Sequence, residues 1–107
     1  MARYLLVVHS NPVAGREAEY DDWYDHRHLA DVLRVPGVVA ARRYDYSSVQ
    51  MTPALPAHRH LALYEIEIDD IRLFTAAMAQ RSNTESMPIS SALGRDVQAQ
   101  LWKLRDA

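Results

Sequence analysis

Cysteine is absent from the 107 residues, which removes disulfide frameworks, thiolate nucleophiles and zinc-ribbon spacings together. Long apolar runs are missing too. Leu5-Leu6-Val7-Val8 is typical of the longest, far below the roughly 20 residues that a membrane span needs. Neither sign of charge is in excess: 12 basic against 14 acidic side chains leave a net charge of -2. That balance, with no basic cluster interleaved with aromatics, offers nothing to nucleic acid or to an anionic membrane. No internal repeat, second domain or secretory signal is recognisable, and a cytoplasmic protein is the expectation.

What remains is an ordinary globular composition, 49% hydrophobic and 24% charged. A single domain of this size buries about two thirds of the surface its unfolded chain exposes. Arg3 to Ser10 is an apolar, β-branched run stopped by Asn11-Pro12, hence a first strand. A helix rich in acids near its start is expected from about Gly15 to Leu33, ending before Val35-Pro36-Gly37. Strand character returns from Val38 to Tyr46 and, after a proline-bearing loop over Ser47 to Ala57, from His60 to Glu67. Asp69 or Asp70 can cap a second helix with Ile71, Phe74, Ala77 and Met78 on one stripe. A short helix is expected around Pro88 to Ser91 or Leu93, with Gly94 as its stop, and a last strand from Val97 to Leu104. The order β-α-β-β-α-β is the ferredoxin-like arrangement, an α+β fold with a four-stranded antiparallel sheet.

In that fold both helices cover one face of the sheet, and the other face alternates to polar residues if it meets water. Here Leu5 to Val8, Val38 to Ala41 and Leu61 to Leu63 supply apolar side chains to both faces. A second layer has to come from outside the chain, and a copy of the same sheet across a two-fold axis is the simplest source. A homodimer is the expectation.

The first helix carries the densest chemistry, Tyr20-Asp-Asp-Trp-Tyr-Asp-His-Arg-His-Leu-Ala-Asp-Val-Leu33. At 3.6 residues per turn His26 and His28 lie about 200° apart, so both cannot face one pocket. His28 shares a face with Tyr24 and Asp31, whereas His26 sits nearer Asp22 and is expected in solvent. An imidazole titrating near neutrality, held by Asp31 and bordered by aromatics, suits proton transfer on an enolisable ring or lactone. The same pair also reads as a satisfied polar couple beneath the helix. Trp23 reads as core or ligand wall, and so do Tyr20 and Tyr24.

His9, at the carboxyl end of the first strand where a cleft beside the first helix would open, is a second catalytic candidate or a strand-end histidine reaching water. Arg42 and Arg43 project to opposite faces, so at most one, with Arg42 the candidate, meets an anionic substrate group and the other pairs with an acid. His60 and Tyr64 share a face of the third strand and reach either cavity or core. His58 and His60 could place two imidazoles on one strand face, but no third ligand follows at a telling spacing, so no metal is expected. No histidine carries a haem attachment signal.

Trp23-Tyr-Asp-x-x-His28-Leu-x-Asp31-Val-Leu33, then Val35-Pro-Gly-Val38 and Ala41-Arg-Arg-Tyr44, resembles the EthD-like branch of the dimeric α+β barrel superfamily. The Ala62-Leu-Tyr64-Glu65 strand extends the likeness to nearly the whole chain, residues 1–107 as one domain. Ala30 stands where many relatives place proline. The resemblance implies two ferredoxin-like units whose sheets face each other, and its histidine is His28. The superfamily hosts cofactor-free isomerases, polyketide cyclases, small monooxygenases and haem-binding enzymes, so fold alone does not choose. The expectation is a cofactor-independent isomerase- or cyclase-type enzyme acting on a small, mostly apolar cyclic or aromatic-derived metabolite. Its alternative is a non-catalytic dimeric protein that binds a hydrophobic small molecule.

Overall fold

The computed structural model describes residues 1–106. The apolar run at the start forms β1 (Ala2–Ser10), followed by three helical pieces without a break: α1 (Glu17–Trp23), a π turn (Tyr24–His28) and α2 (Leu29–Leu33). Then come β2 (Val38–Asp45), β3 (His60–Ile68), α3 (Ile71–Arg81) and β4 (Gln98–Lys103). The sheet order is β2-β3-β1-β4 with every neighbour antiparallel, which is the ferredoxin-like topology. Among the described residues no helix is long and apolar enough to cross a membrane.

Register assigns the two faces. Ser10 pairs with His60, Leu6 with Tyr64 and Tyr4 with Ile66, so the even positions of β1 and β3 point together toward the helices. There they bury Leu6, Ala62, Tyr64 and Ile66 against Tyr20, Tyr24, Val32 and Phe74. The odd positions, Leu5, Val7 and His9 with Leu61, Leu63 and Glu65, share the opposite face with Arg42, Tyr44 and Trp102. Among the described residues no element covers that face: Leu5, Tyr44 and Trp102 are all exposed, Trp102 at 58%. A bulge between Val38 and Ala40 leaves Val39 exposed as well.

Local signals account for the element ends. Asp70, the second of the two candidate caps, accepts a 3.0 Å hydrogen bond from the Arg72 amide. Asn83, at φ +63°, turns the chain after α3 through the left-handed region that asparagine tolerates. The first helix starts at Glu17, two residues later than the expected Gly15, because Gly15 is itself left-handed at φ +84°.

The short helix expected around Pro88 does not form. Residues 82–97 instead run as turns and isolated bridges along the first helix. The Pro88 carbonyl accepts a 2.9 Å bond from the Trp23 indole, Glu85 O one of 2.6 Å from Arg27, and Ser91 O one of 3.1 Å from Arg16. With these carbonyls bound sideways to the first helix, an intrasegment ladder is not available. Gly94 is accordingly not a helix stop. Its amide donates to Asn11 O at 2.8 Å, and a Cβ there would sit 2.6 Å from that oxygen.

Candidate functional site

Between the first helix and the sheet the fold gathers Tyr20, Trp23, Tyr24, His28, His60 and Tyr64. The rings of Trp23 and His28 stack with centroids 4.5 Å apart and planes 27° off parallel. Tyr24 meets His28 edge-on at 5.3 Å and Tyr20 at 5.2 Å, and Tyr20 meets His60 at 5.0 Å. Ser10 Oγ and the Tyr20 hydroxyl share a 2.7 Å hydrogen bond at the end of β1.

Two polar atoms in this cluster are buried without a partner, the Tyr64 hydroxyl and His28 Nδ1. Tyr64 is 1% exposed and His28 9%. Each sits where a hydrogen bond is owed, since an orphaned buried polar group costs about 1–3 kcal/mol. Burial sets their protonation. Loss of water lowers His28 from 6.5 to about 4, against a smaller opposing pull from the Asp31 charge. Burial, reinforced by the neighbouring Tyr24 phenol, raises Tyr64. At neutral pH the pair is a neutral imidazole and a protonated phenol, not the near-neutral titrating imidazole expected from the sequence.

The expected His28–Asp31 couple does not form. Asp31 is buried, but its carboxylate accepts from Arg27 Nε at 2.7 Å and from Arg34 at 3.0 Å. Guanidinium donors four residues before and three after it on the helix outcompete a neutral imidazole for the carboxylate. His26 is exposed and sits 3.0 Å from Asp22.

Arg43 closes the cluster and stands where Arg42 was expected. Its guanidinium lies over the Tyr20 and Tyr24 rings, 5.2 and 4.7 Å from their centroids. It donates to Asp21 at 3.0 Å, to Asp25 at 2.8 Å and to His60 Nδ1 at 3.2 Å. Arg42 points to the open sheet face and pairs with Glu65 at 3.2 Å. His9 also lies on that face, away from the first helix, because β1 alternates and its neighbour Ser10 faces inward. His58 and His60 do not share a strand face. His58 precedes β3 and meets the Asp96 carboxylate at 3.1 Å, whereas His60 turns to Tyr20 and Arg43. Among the described residues no three of His, Asp and Glu converge as a metal site.

Sequence reasoning missed Ser10, and it left Arg43 aside. The signal for both was parity: Ser10 is in phase with Leu6 and Val8, and Arg43 with Ala41, on the strand faces that meet the first helix.

No family profile matches the chain, and no curated protein matches it. Among solved structures, it is similar to the crystal structure of an ethyl tert-butyl ether d (EthD) family protein from Bacillus halodurans. The TM-score is 0.62 at 13% identity, covering 98% of this chain and 100% of that one. At that identity the likeness establishes the fold, which is EthD-like.

Proposed function

We propose that this EthD-like fold carries a cofactor-independent site for a small, mostly apolar cyclic molecule bearing a polar oxygen, and that its chemistry is proton transfer of isomerase or cyclase type. The observation that carries the reading is the pair of buried, unpartnered atoms, Tyr64 hydroxyl and His28 Nδ1, among Tyr20, Trp23 and Tyr24. Tyr64, kept protonated, donates to a carbonyl or lactone oxygen of the ligand and polarises it. His28, neutral and desolvated, accepts the proton so acidified on the adjacent carbon. The aromatic walls receive the apolar ring. Because Tyr20 and Tyr64 are sealed from solvent, entry requires the first helix to move, and a π turn is a frequent place for such adjustment at functional sites.

The low basicity of His28 favours a second reading, a protein that binds the same ligand class without turnover. Deuterium incorporation at the α-carbon of cyclic ketones and lactones in D2O separates the two. Catalysed exchange, abolished in His28→Ala and retained in His26→Ala, supports the enzyme. Ligand that co-purifies and survives incubation unchanged supports the binding protein. A panel that neither binds nor exchanges removes both.

We further propose a homodimer in which two open sheet faces meet. Exposed Leu5, Val39 and Trp102 supply the apolar surface, and the Arg42–Glu65 pair supplies charge of both signs. Light scattering should give twice the 12.2 kDa chain mass, and Trp102→Lys should give a monomer. A wild-type monomer at micromolar concentration ends this part of the proposal.

A further inference from the structure

The carboxyl end of β1 borders a cavity of about 500 Å³ that the helix-side reading leaves unused. That volume lies within the range of small-molecule sites, about 300–1,000 Å³. Its floor is the end of the open sheet face, with His9, Leu61 and Tyr44. Its roof is the segment joining β2 to β3, which contributes Pro56 and Arg59. His60 lies on its lining and also touches Tyr20, so the two regions adjoin without sharing their other residues.

The roof is fastened. The Asn11 side chain donates to Ala57 O at 2.9 Å and accepts from the Arg59 amide at 2.8 Å. The Tyr46 amide donates to Arg59 O at 2.9 Å, and the Tyr46 hydroxyl to Ala54 O at 3.1 Å. Arg59 is therefore held at the rim by bonds on both sides of its own backbone. Its backbone is thus placed before a ligand arrives, and only the side chain remains to be ordered on binding.

Charge on the lining is unevenly committed. Asp45, the acid there, sits 3.4 Å from His60, and His58 is engaged by Asp96. Among the described residues the Arg59 guanidinium and the His9 imidazole make no hydrogen bond or ion pair; the His9 ring only tilts against His58 at 5.9 Å. The cavity thus offers two uncommitted nitrogen-bearing groups, one a permanent cation, beside flat and apolar walls, and its acid, Asp45, stands in solvent with 86% of its side chain exposed. We propose that it binds a small planar carboxylate, an aromatic or unsaturated cyclic acid. Arg59 and His9 engage the carboxylate, and Tyr44, Leu61 and Pro56 flank the ring.

The probe is 2-naphthoate, with 2-naphthamide as the neutral isostere, titrated by calorimetry or by amide chemical shifts. The acid should bind at least about 10-fold more tightly than the amide, since hydrogen bonds to charged groups are worth about 1.5–3 kcal/mol. Arg59→Gln and His9→Gln should each weaken the acid by about 5–50-fold and leave the amide unchanged. Both positions are solvent-accessible, and circular dichroism verifies that the variants fold. Equal affinity for acid and amide, no binding of the acid at millimolar concentration, or an acid affinity unchanged in Arg59→Gln overturns the proposal. If Tyr64→Phe weakens naphthoate while Arg59→Gln does not, the acid sits on the helix side. This inference then fails while the proposed function survives.

Discussion

Trp23 and His28 stack face to face, with ring centroids 4.5 Å apart, although five residues separate them. On a regular α-helix residues five apart are about 140° out of phase and do not meet. The π turn over Tyr24–His28 brings them together, because its hydrogen bonds close between residues five apart. The turn shifts the phase of everything after it. His28 is pressed into an apolar pocket with Nδ1 unpaired, and Asp31, one turn on, is left to Arg27 and Arg34.

Burial of His28 makes the protein acid-sensitive. Its folded pKa, about 4, lies below the ordinary 6.5. Above pH 6.5 neither state binds the proton and stability is level; as pH falls from 6.5 to about 4 only the unfolded chain takes it up, and stability is lost. The full loss is about 3 kcal/mol. Urea midpoints at pH 7 and pH 4.5 should show the decline in wild type and a much flatter response in His28→Phe, which keeps the ring stack. An unchanged decline in the variant would place the acid-sensitive group elsewhere.

Asp31→Asn is expected to destabilise by about 1–3 kcal/mol, because a carboxylate that accepts from two guanidiniums is replaced by an amide with one acceptor oxygen. Ligand exchange or binding per folded molecule should change far less than in His28→Ala. Denaturant unfolding combined with the deuterium assay checks this; a loss of activity equal to that of His28→Ala, with stability intact, would restore Asp31 to the site.

Arg43→Lys should destabilise by about 1–2 kcal/mol despite keeping the charge, since one ammonium cannot reach Asp21 and Asp25 together while lying over two tyrosine rings. Hydrogen exchange should reveal the loss locally, as faster exchange across α1 and the π turn than across α3. Uniform acceleration throughout the chain would contradict a local clasp.

Gly94→Ala should cost about 1–3 kcal/mol, because its Cβ would approach the Asn11 carbonyl oxygen to 2.6 Å and the backbone would have to move. Gly15→Ala places its Cβ in open space and pays only for a left-handed backbone, about 1 kcal/mol. Thermal melts of the two variants side by side test whether close approach or backbone conformation dominates.

Local chemistry made the order of elements legible, as apolar β-branched runs, Asn11-Pro12, the Asp70 cap and the helical stripe of α3 each act within a few residues of themselves. Alternation along strands separates Arg42 from Arg43 and groups His60 with Tyr64, and helical phase alone sends His26 and His28 to different sides. The tertiary structure decided what depends on partners distant in sequence. Residues 82–97 stay out of a helix because Trp23, Arg27 and Arg16 take their carbonyls, and Gly94 is small because Asn11 passes beside it. The π turn itself belongs to this second class. A helical period read from sequence assumes constant 100° steps, whereas packing of Trp23, Tyr24 and His28 against the sheet and the 82–97 segment inserts an extra residue into one turn. That insertion, invisible to any periodic pattern, is what lets Trp23 stack on His28.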